Sequence, residues 1–417
     1  MAILRVEGGR RLSGKLSVEG NKNSALPLIA ACLLTDEPCV LTNVPRIRDV
    51  GVLVDLLVGL GAVVEGVGTP TLRIQCTSVL TGRPDAELVG KLRGSVLLLG
   101  PLLARYGSAR LAPPGGDFPA RRTISTHLQA LIAMGAVPVD EPGHALDAPN
   151  GLRGASMYLD EASVTGTETA LLAAAAATGR TEIRHAATEP HVVELCLFLK
   201  AMGVGIEGEG TSTIRVEGIA KRRGAEHRLH GDYIEAGSWG VVAAITGGDI
   251  EVAGARTLDL EVVAAPLLKM GLRCRYDEDV LRVEPSTLVA PRKVTTGLWP
   301  GFPSDMVSLV TVLTTQAAGR TLVHDWLYEL RLFALEQLSA MRADLFLCDS
   351  HRMIVTGPTP LRGRHLDTRD LRSGMALIAA ALAAEGESTI GPVETVERGY
   401  ASLVERLDML GAQVQRE

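Results

Sequence analysis

Aromatic side chains are scarce in this chain: Phe, Tyr and Trp together make up 3% of its 417 residues. Proteins that hold bases or sugars by stacking need several rings at the site. The composition therefore argues against a base-stacking platform and against an aromatic sugar-binding groove. Ala, Leu and Val must build most of the core, and 45 glycines are available for turns.

Long apolar runs and an excess of basic residues are also missing. The longest apolar stretches, such as residues 95–104 between Arg93 and Arg105, fall well short of the roughly 20 residues that a bilayer requires. Residues 1–8 contain no apolar segment of the kind that a secretory signal needs. The formal net charge of −6 offers no broad basic field for a nucleic-acid backbone. We therefore expect a soluble, cytoplasmic protein that binds neither nucleic acid nor membrane.

Cysteines are few: six are spread through the chain, and no two of them form a CxxC pair. Zinc ribbons and thioredoxin-like redox chemistry are therefore not indicated, and a chain this long and poor in cysteine is not a disulfide scaffold. The 46% hydrophobic and 22% charged residues are an ordinary globular balance. A chain of this length predicts two or three domains, or one large one.

A helix followed by a small-residue turn recurs six times, with the central turn residues 68 to 74 positions apart. A glycine just after the last periodic residue is typical of a left-handed helix C-cap. An alternating strand is predicted upstream of each of these helices, for example at Cys39–Thr42 and Ser108–Leu111. The six turns are Leu60-Gly61-Ala62, Met134-Gly135-Ala136, Met202-Gly203-Val204, Met270-Gly271-Leu272, Met341-Arg342-Ala343 and Leu410-Gly411-Ala412.

The repeats predict an α/β fold of six units, each about 70 residues long and built as helix, strand, helix, strand, strand. The last unit ends after one strand, so the strand that begins at Leu4 is expected to complete it. Six units divide naturally into two lobes of three with a cleft between them. An open solenoid is the alternative, although solenoid repeats are usually shorter and follow one consensus.

Four segments carry polar residues that packing does not require. In the first, a Gly-Asn-Lys-Asn-Ser turn before an Ala/Leu helix places Lys22 beside free backbone N–H groups, which favours an anion site. The second is a Pro- and Gly-rich loop, 112–122, that presents Asp117, Arg121 and Arg122. The third is the segment 299–306, which contains Asp305. The fourth is a set of arginines at the ends of the predicted units: Arg93, Arg331, Arg372 and Arg398.

Taken singly, each of these residues could be an ordinary solvated side chain. Several guanidinium groups acting together would instead suit a small substrate that has both a carboxylate and a phosphate, because guanidinium binds such groups through paired hydrogen bonds.

Together, the repeat and the four segments resemble the enolpyruvyl transferase family over residues 5–411. The Lys-Asn start resembles the UDP-N-acetylglucosamine 1-carboxyvinyltransferase branch and not the shikimate-phosphate branch. The resemblance implies a two-lobed inside-out α/β barrel, in which 22–229 form the first lobe with the catalytic loop and 1–21 with 230–417 form the second. The motifs that carry it are Gly20-Asn-Lys-Asn-Ser-Ala-Leu-Pro27, the Pro-Gly-Gly of 114–116, Phe302-Pro-Ser-Asp305-Met306, Asp370-Leu-Arg372 and Arg398-Gly-Tyr400.

The resemblance also implies a reaction. A hydroxyl of a uridine nucleotide adds to C2 of phosphoenolpyruvate while an acid protonates C3, and phosphate then leaves as C3 loses a proton. Neither a metal nor an organic cofactor is needed. The acceptor usual in the family is UDP-N-acetylglucosamine, modified at its 3′-hydroxyl during peptidoglycan precursor synthesis.

Roles follow residue by residue from the same resemblance. Lys22, Arg122 and Arg398 match residues that hold the phosphate of phosphoenolpyruvate, while Arg331 and Arg372 match the pair on its carboxylate. The implied catalytic residues are Asp117 as the acid, Asp305 as the base, and Lys22. Asn23 falls at a position that contacts both substrates. The other acceptor-contacting positions are Arg93, Arg122, Thr123, Ile124, Ser125, Thr126, Glu161, Ser163, Val164, Asp305 and Leu327.

The chain departs from the family pattern at the loop and at the acceptor positions. Asp117 stands where most members have Cys, and a carboxyl cannot be alkylated as a thiolate can, so we expect insensitivity to the epoxide fosfomycin. Glu161 lies where a Lys usually meets the diphosphate, Tyr233 where Arg is frequent, and Leu97 where Trp is common. These changes leave open a UMP 3′-enolpyruvyl transferase of nucleoside-antibiotic biosynthesis and, as a third reading, a non-catalytic nucleotide-binding paralogue.

Overall fold

The structure, a computed structural model, describes residues 2–115 and 123–417. The chain divides into two compact units: a central unit, Gly20–His230, and a terminal unit, Met1–Glu19 with Gly231–Glu417. Asp117, Arg121 and Arg122 lie outside the described residues. Within the described parts, no helix combines the length and the apolar character that crossing a membrane would require.

Six small sheets hold the strands of the described chain, three in each unit. Five of them have four strands in one arrangement, in which a parallel edge pair continues into two antiparallel pairs. The sixth, in the central unit, has three antiparallel strands.

In strand order, the central unit's sheets are Glu226–Arg228, Cys39–Thr42, Thr71–Gln75 and Val63–Glu65; Ser156–Tyr158, Arg180–Arg184, Thr213–Glu217 and Gly205–Glu207; and Ser108–Leu111, His144–Asp147 and Val137–Pro138. Those of the terminal unit are Ser13–Ser17, Asp249–Ala253, Val280–Glu284 and Arg273–Asp277; Lys293–Thr295, Gly319–His324, Arg352–Gly357 and Asp344–Leu347; and His365–Asp367, Glu387–Gly391, Leu4–Glu7 and Gln413–Arg416.

The first strand of the chain belongs to the same sheet as the last two strands of the chain. Leu4–Glu7 pairs antiparallel with Glu387–Gly391 on one side and with Gln413–Arg416 on the other, so that Leu4 faces Ile390 and Arg416. The pairing expected between the N-terminal strand and the strand at the C-terminus is confirmed. Because these partners are supplied by opposite ends of the sequence, the terminal unit is assembled from both.

Helices pack beside these sheets. In the central unit they are α1 (Lys22–Ala31), α2 (Arg48–Gly59), α3 (Ala86–Val89), α4 (Leu99–Tyr106), α5 (Ser125–Ala133), α6 (Val164–Ala174) and α7 (Pro190–Ala201). In the terminal unit they are α8 (Tyr233–Ile245), α9 (Thr257–Lys269), α10 (Val307–Thr314), α11 (Leu371–Ala383), α12 (Glu394–Glu397) and α13 (Leu403–Met409). Short 3₁₀ helices cover Cys32–Leu34, Arg93–Leu98, Ser304–Met306 and Leu332–Ser339.

Helices α8, α10 and α11 are mainly apolar and buried around almost their whole surface, as expected for helices without a solvent face. Every residue of α8 and α10 is buried, as is α11 from Arg372 to Leu382. Small residues let such helices approach closely: a Cβ added at Gly237 of α8 would lie 2.4 Å from Cγ1 of Val263 in α9. The aliphatic core that the composition predicts is concentrated at these helices.

The left-handed turns predicted at the five glycines are present, and the sixth turn, at Arg342, has the same conformation. The five glycines have the positive φ that a helix C-cap requires, and Arg342 adopts it too despite the cost that a Cβ imposes. The φ values are +107° at Gly61, +96° at Gly135, +98° at Gly203, +80° at Gly271, +72° at Arg342 and +87° at Gly411.

Candidate active site

Lys22 is the first residue of α1, in the central unit, and Asn21 caps this helix. The Asn21 side-chain oxygen accepts hydrogen bonds from the backbone N–H groups of Asn23 at 2.7 Å and Ser24 at 3.3 Å. The expectation that free N–H groups lie beside Lys22 is therefore wrong for these two, because the cap already occupies them. What favours an anion at this end of α1 is the Lys22 ammonium together with the positive pole of the helix.

Lys22 is held by a buried carboxylate. Its Nζ lies 2.7 Å from Oδ2 of Asp49, whose side chain is 3% exposed, while that of Lys22 is 14% exposed. Sequence reasoning does not single out Asp49. The available signal is an acidic residue on the apolar face of α2, in line with the buried Val52, Leu53 and Leu56.

Several residues that the resemblance assigns to the acceptor are joined by hydrogen bonds around the start of α5. Arg93 Nη2 donates to the backbone oxygen of Thr123 at 2.7 Å, and Thr126 Oγ1 donates to Oε1 of Glu161 at 3.2 Å. Ser163 caps α6, which packs against α5 and begins at Val164. The structure therefore brings together, in one region, side chains that the sequence places in three separate segments. Ile124 is buried and Ser125 opens α5.

In the terminal unit, Asp305 lies between two arginines. Its Oδ1 is 3.0 Å from Nη1 of Arg331, and its Oδ2 is 2.9 Å from Nη2 of Arg372. The exposed fractions of these side chains are 27% for Asp305, 16% for Arg331 and 8% for Arg372. Burial favours the neutral acid, but the two guanidinium groups outweigh it and hold the pKa of Asp305 well below its usual range. The site is therefore a carboxylate clamped by two cations.

A second carboxylate, Asp325, supports this clamp from behind. It is fully buried and accepts hydrogen bonds from Ser304 Oγ at 2.7 Å and Thr296 Oγ1 at 2.8 Å. Its Oδ2 lies 3.9 Å from Nε of Arg331. The backbone N–H of Leu327 donates to its Oδ1 at 3.3 Å. Asp325 thus orients both the segment that carries Asp305 and one of its arginines, although no motif in the sequence points to it.

Tyr400 packs against the other arginine. Its hydroxyl lies 2.7 Å from Ser238 Oγ and accepts a hydrogen bond from Nη1 of Arg372 at 3.4 Å. Burial raises the pKa of Tyr400, and Arg372 opposes that rise. Arg398 is half-buried and follows α12 directly, two residues before Tyr400. The Arg398-Gly-Tyr400 motif therefore supplies a cation and a phenol two residues apart, and the phenol contacts Arg372.

The Asp370-Leu-Arg372 motif has a local explanation as well. Asp370 caps α11, since its Oδ1 accepts the backbone N–H groups of Arg372 at 2.9 Å and Ser373 at 3.0 Å. The cap starts the helix so that Arg372 lies in its first turn. The motif thus fixes the backbone from which the guanidinium reaches Asp305.

Similarity to known proteins identifies the family of this chain. The profile of EPSP synthase (3-phosphoshikimate 1-carboxyvinyltransferase) matches residues 6–407. The chain belongs to the EPSP synthase family. It is 43% identical to the UDP-N-acetylglucosamine 1-carboxyvinyltransferase of Bradyrhizobium diazoefficiens, over 99% of this chain and 97% of that one. It is 40% identical to the enzyme of the same name from Treponema denticola, over 98% of each chain.

A solved enolpyruvyl transferase also has the same fold. The enolpyruvyl transferase NikO from Streptomyces tendae superposes with a TM-score of 0.89 at 26% identity, covering 100% of this chain and 98% of NikO. The two-domain α/β fold is therefore shown for this chain.

Two of the residues at which a departure from the family pattern is expected are buried. The side chain of Leu97 is 1% exposed in the 3₁₀ helix Arg93–Leu98. Tyr233 is 3% exposed at the start of α8, and its ring meets that of Trp299 edge-on at a centroid distance of 5.8 Å. Both residues contribute to packing within their own unit. Glu161, by contrast, is exposed, and its carboxylate accepts the hydrogen bond from Thr126 described above.

Proposed function

We propose that this chain transfers the enolpyruvyl (carboxyvinyl) group of phosphoenolpyruvate to a hydroxyl of UDP-N-acetylglucosamine and releases phosphate. The observation that carries this proposal is the full-length similarity to two UDP-N-acetylglucosamine 1-carboxyvinyltransferases, at 43% and 40% identity. A chain of this kind would supply a peptidoglycan precursor. The clamp of Asp305, Arg331 and Arg372 supports it, because it combines a base with cations suited to a small dianion.

We propose the following roles for the cations. Lys22, Arg122 and Arg398 bind the phosphate of phosphoenolpyruvate, and Arg331 with Arg372 binds its carboxylate. Positive groups that buried partners already hold in place stabilise the charge that develops in the transition state, because these groups do not have to reorganise during the reaction. Asp49 for Lys22 and Tyr400 for Arg372 are such partners.

Asp305 is proposed as the base that takes the proton of the acceptor hydroxyl. In the structure, the carboxylate of Asp305 contacts the same two guanidinium groups that we assign to the substrate carboxylate. Phosphoenolpyruvate would compete for them, and each contact that Asp305 loses would raise its affinity for a proton. Binding of one substrate thereby prepares the base for the other.

Asp117 is proposed as the acid that protonates C3 of phosphoenolpyruvate. A carboxyl can donate that proton only when it is protonated, so its pKa must be raised at the site, as a neighbouring phosphate would do. Asn23 and the acceptor positions Arg93, Thr123–Thr126, Glu161, Ser163, Val164 and Leu327 are proposed to contact the nucleotide sugar.

We further infer that the six sheets are copies of one repeat, three in each unit, in the inside-out barrel arrangement that the resemblance implies. The shared strand order of five sheets supports this inference. On this view the catalytic loop is carried by the central unit.

The test is a phosphate-release assay on the full chain, with product mass measured. Phosphoenolpyruvate is offered alone, with UDP-N-acetylglucosamine, or with UMP. We expect acceptor-dependent release with UDP-N-acetylglucosamine and a product heavier by one carboxyvinyl group. Release with UMP only would replace the acceptor in this proposal by the smaller nucleotide. No release with either would leave a binding protein and overturn the enzymatic proposal.

A further inference from the structure

A buried carboxylate outside the proposed site lies under the turn that carries Lys22. Glu194, in α7, has a side chain that is 1% exposed. It accepts hydrogen bonds from Ser24 Oγ at 2.5 Å, from His227 Nε2 at 2.9 Å and from the backbone N–H of His230 at 2.8 Å. Burial favours its neutral form, but the side chains of His227, of His230, whose Nδ1 lies 3.4 Å from Oε2, and of Ser24 outweigh it and hold the pKa of Glu194 well below its usual range. Glu194 is therefore an ionised group with donors on both oxygens.

Hydrogen bonds connect the backbone before Lys22 and the backbone after it to the same carboxylate, Glu194. Ser24 follows Lys22 by two residues in the first turn of α1. On the other side, the backbone N–H of Asn21, the helix cap, donates to the backbone oxygen of His230 at 2.8 Å. His230 is itself bound to Glu194 through its own N–H. The cap before Lys22 and the residue after Asn23 are thus tied to the same carboxylate.

Packing of the helix alone does not require this arrangement. Asn21 already caps α1, and α1 packs against α7 through apolar side chains of its own. A buried ion with hydrogen-bonded partners contributes little net stability compared with apolar groups of the same size, but it fixes geometry, since each oxygen accepts only in set directions. The four groups Ser24, Glu194, His227 and His230 would fix the backbone on either side of the anion-binding lysine.

We propose that Glu194 is a positioning residue: through Ser24 and His230 it holds the turn that presents Lys22 and Asn23, and so sets the affinity for phosphoenolpyruvate. The second half of this statement rests on the role proposed above for Lys22. Loss of Glu194 would displace the Lys22 ammonium without removing it, so we expect a larger effect on phosphoenolpyruvate binding than on the chemical step.

The test compares Ser24→Ala and Glu194→Gln with a matched control, Thr35→Val. Thr35 is also a buried hydroxyl of the central unit, 2% exposed; it donates to the backbone oxygen of Arg222 at 2.8 Å and lies four residues beyond the C-terminal end of α1, outside the turn that carries Lys22. Two readouts are used on the full chain: hydrogen exchange of the amides of Asn23, Ser24 and Ala25, and the KM for phosphoenolpyruvate against kcat.

For Ser24→Ala we expect faster exchange in this turn and a KM for phosphoenolpyruvate raised about tenfold, the usual size for loss of a hydrogen bond to a charged group, with kcat nearly unchanged. Glu194→Gln should show the same split, and Ser24→Ala decides the matter if Glu194→Gln does not fold. Both readouts equal to those of Thr35→Val would overturn the proposal.

The two readouts distinguish failure of the proposed function from failure of the positioning role of Glu194. A wild-type chain without turnover overturns that function and, with it, the effect claimed on phosphoenolpyruvate. The exchange measurement needs no turnover, so it still decides whether Glu194 holds the turn.

Discussion

Arg372 and Asp305 form an ion pair of 2.9 Å in which the guanidinium is 8% exposed and also donates to the hydroxyl of Tyr400. The arginine therefore contacts two groups with different nitrogens, which a single ammonium cannot do with the same geometry.

This geometry predicts the outcome of Arg372→Lys. The variant keeps the charge but loses one of the two contacts, so we expect the KM for phosphoenolpyruvate to rise about ten- to a hundredfold. Initial rates at varied phosphoenolpyruvate measure it. Arg320→Lys, an exposed arginine of the same unit that donates to Thr356, is the control and should leave KM unchanged. The same KM for phosphoenolpyruvate in both variants would contradict the proposal that Arg372 binds this substrate.

The clamp of Asp305 also predicts a dependence of stability on pH. The folded-state pKa of Asp305 is lowered, so its ionised form stabilises the fold fully above the unfolded-state pKa of about 3.9, and this contribution is lost as pH falls further. Compared with Asp305→Asn, the wild type should lose about 1 kcal/mol of unfolding free energy between pH 7 and pH 3. Urea unfolding of both proteins at the two pH values measures the difference. A constant difference would count against the clamp.

Lys22→Ala removes the ammonium that Asp49 holds. Because a cation aligned on a developing charge is worth a factor of about a hundred or more in rate, we expect turnover to fall at least that far. Phosphate release measures it, and a thermal melt checks the fold, since Asp49 is left without its ion pair. Lys91→Ala, an exposed lysine paired with Glu87 in the same unit, should keep the wild-type rate. An unchanged rate in Lys22→Ala would mean that the anion binds elsewhere.

Asp117 predicts the response to fosfomycin. The wild type should show no time-dependent inactivation and no covalent adduct, because its loop offers a carboxylate to the epoxide where a thiolate would react. Asp117→Cys should gain both, measured by residual activity and intact mass. Asp117→Asn, which cannot donate a proton, should lose activity. An adduct on Asp117 in the wild type, or full activity of Asp117→Asn, would refute the role of this residue.

Local structure was readable from the sequence to a large extent. The strands Cys39–Thr42 and Ser108–Leu111 occur with the predicted bounds, because alternation of apolar and polar residues directly reports which side is buried. The left-handed turns were equally visible, since glycine is the residue that adopts them at little cost. Arg342 shows the limit, because nothing in its side chain predicts a positive φ.

The sequence predicted which residues form the candidate site but not which of them contact one another. Asp305, Arg331 and Arg372 could be named, yet their mutual pairing depends on elements that only the folded terminal unit brings together. The partnership of Ser24 with Glu194 joins positions 170 residues apart and leaves no periodic signal. Buried polar partners of this kind are visible only when the tertiary packing is known.

The pairing of Leu4–Glu7 with Glu387–Gly391 has a consequence for the order in which the protein can fold during synthesis. The ribosome delivers the first strand long before its partners exist, whereas the central unit, Gly20–His230, is one continuous stretch. The central unit can therefore fold while the terminal unit is still incomplete. The strand Leu4–Glu7 must stay unpaired until residues 387–391 have emerged, so the terminal unit is completed later than the central unit.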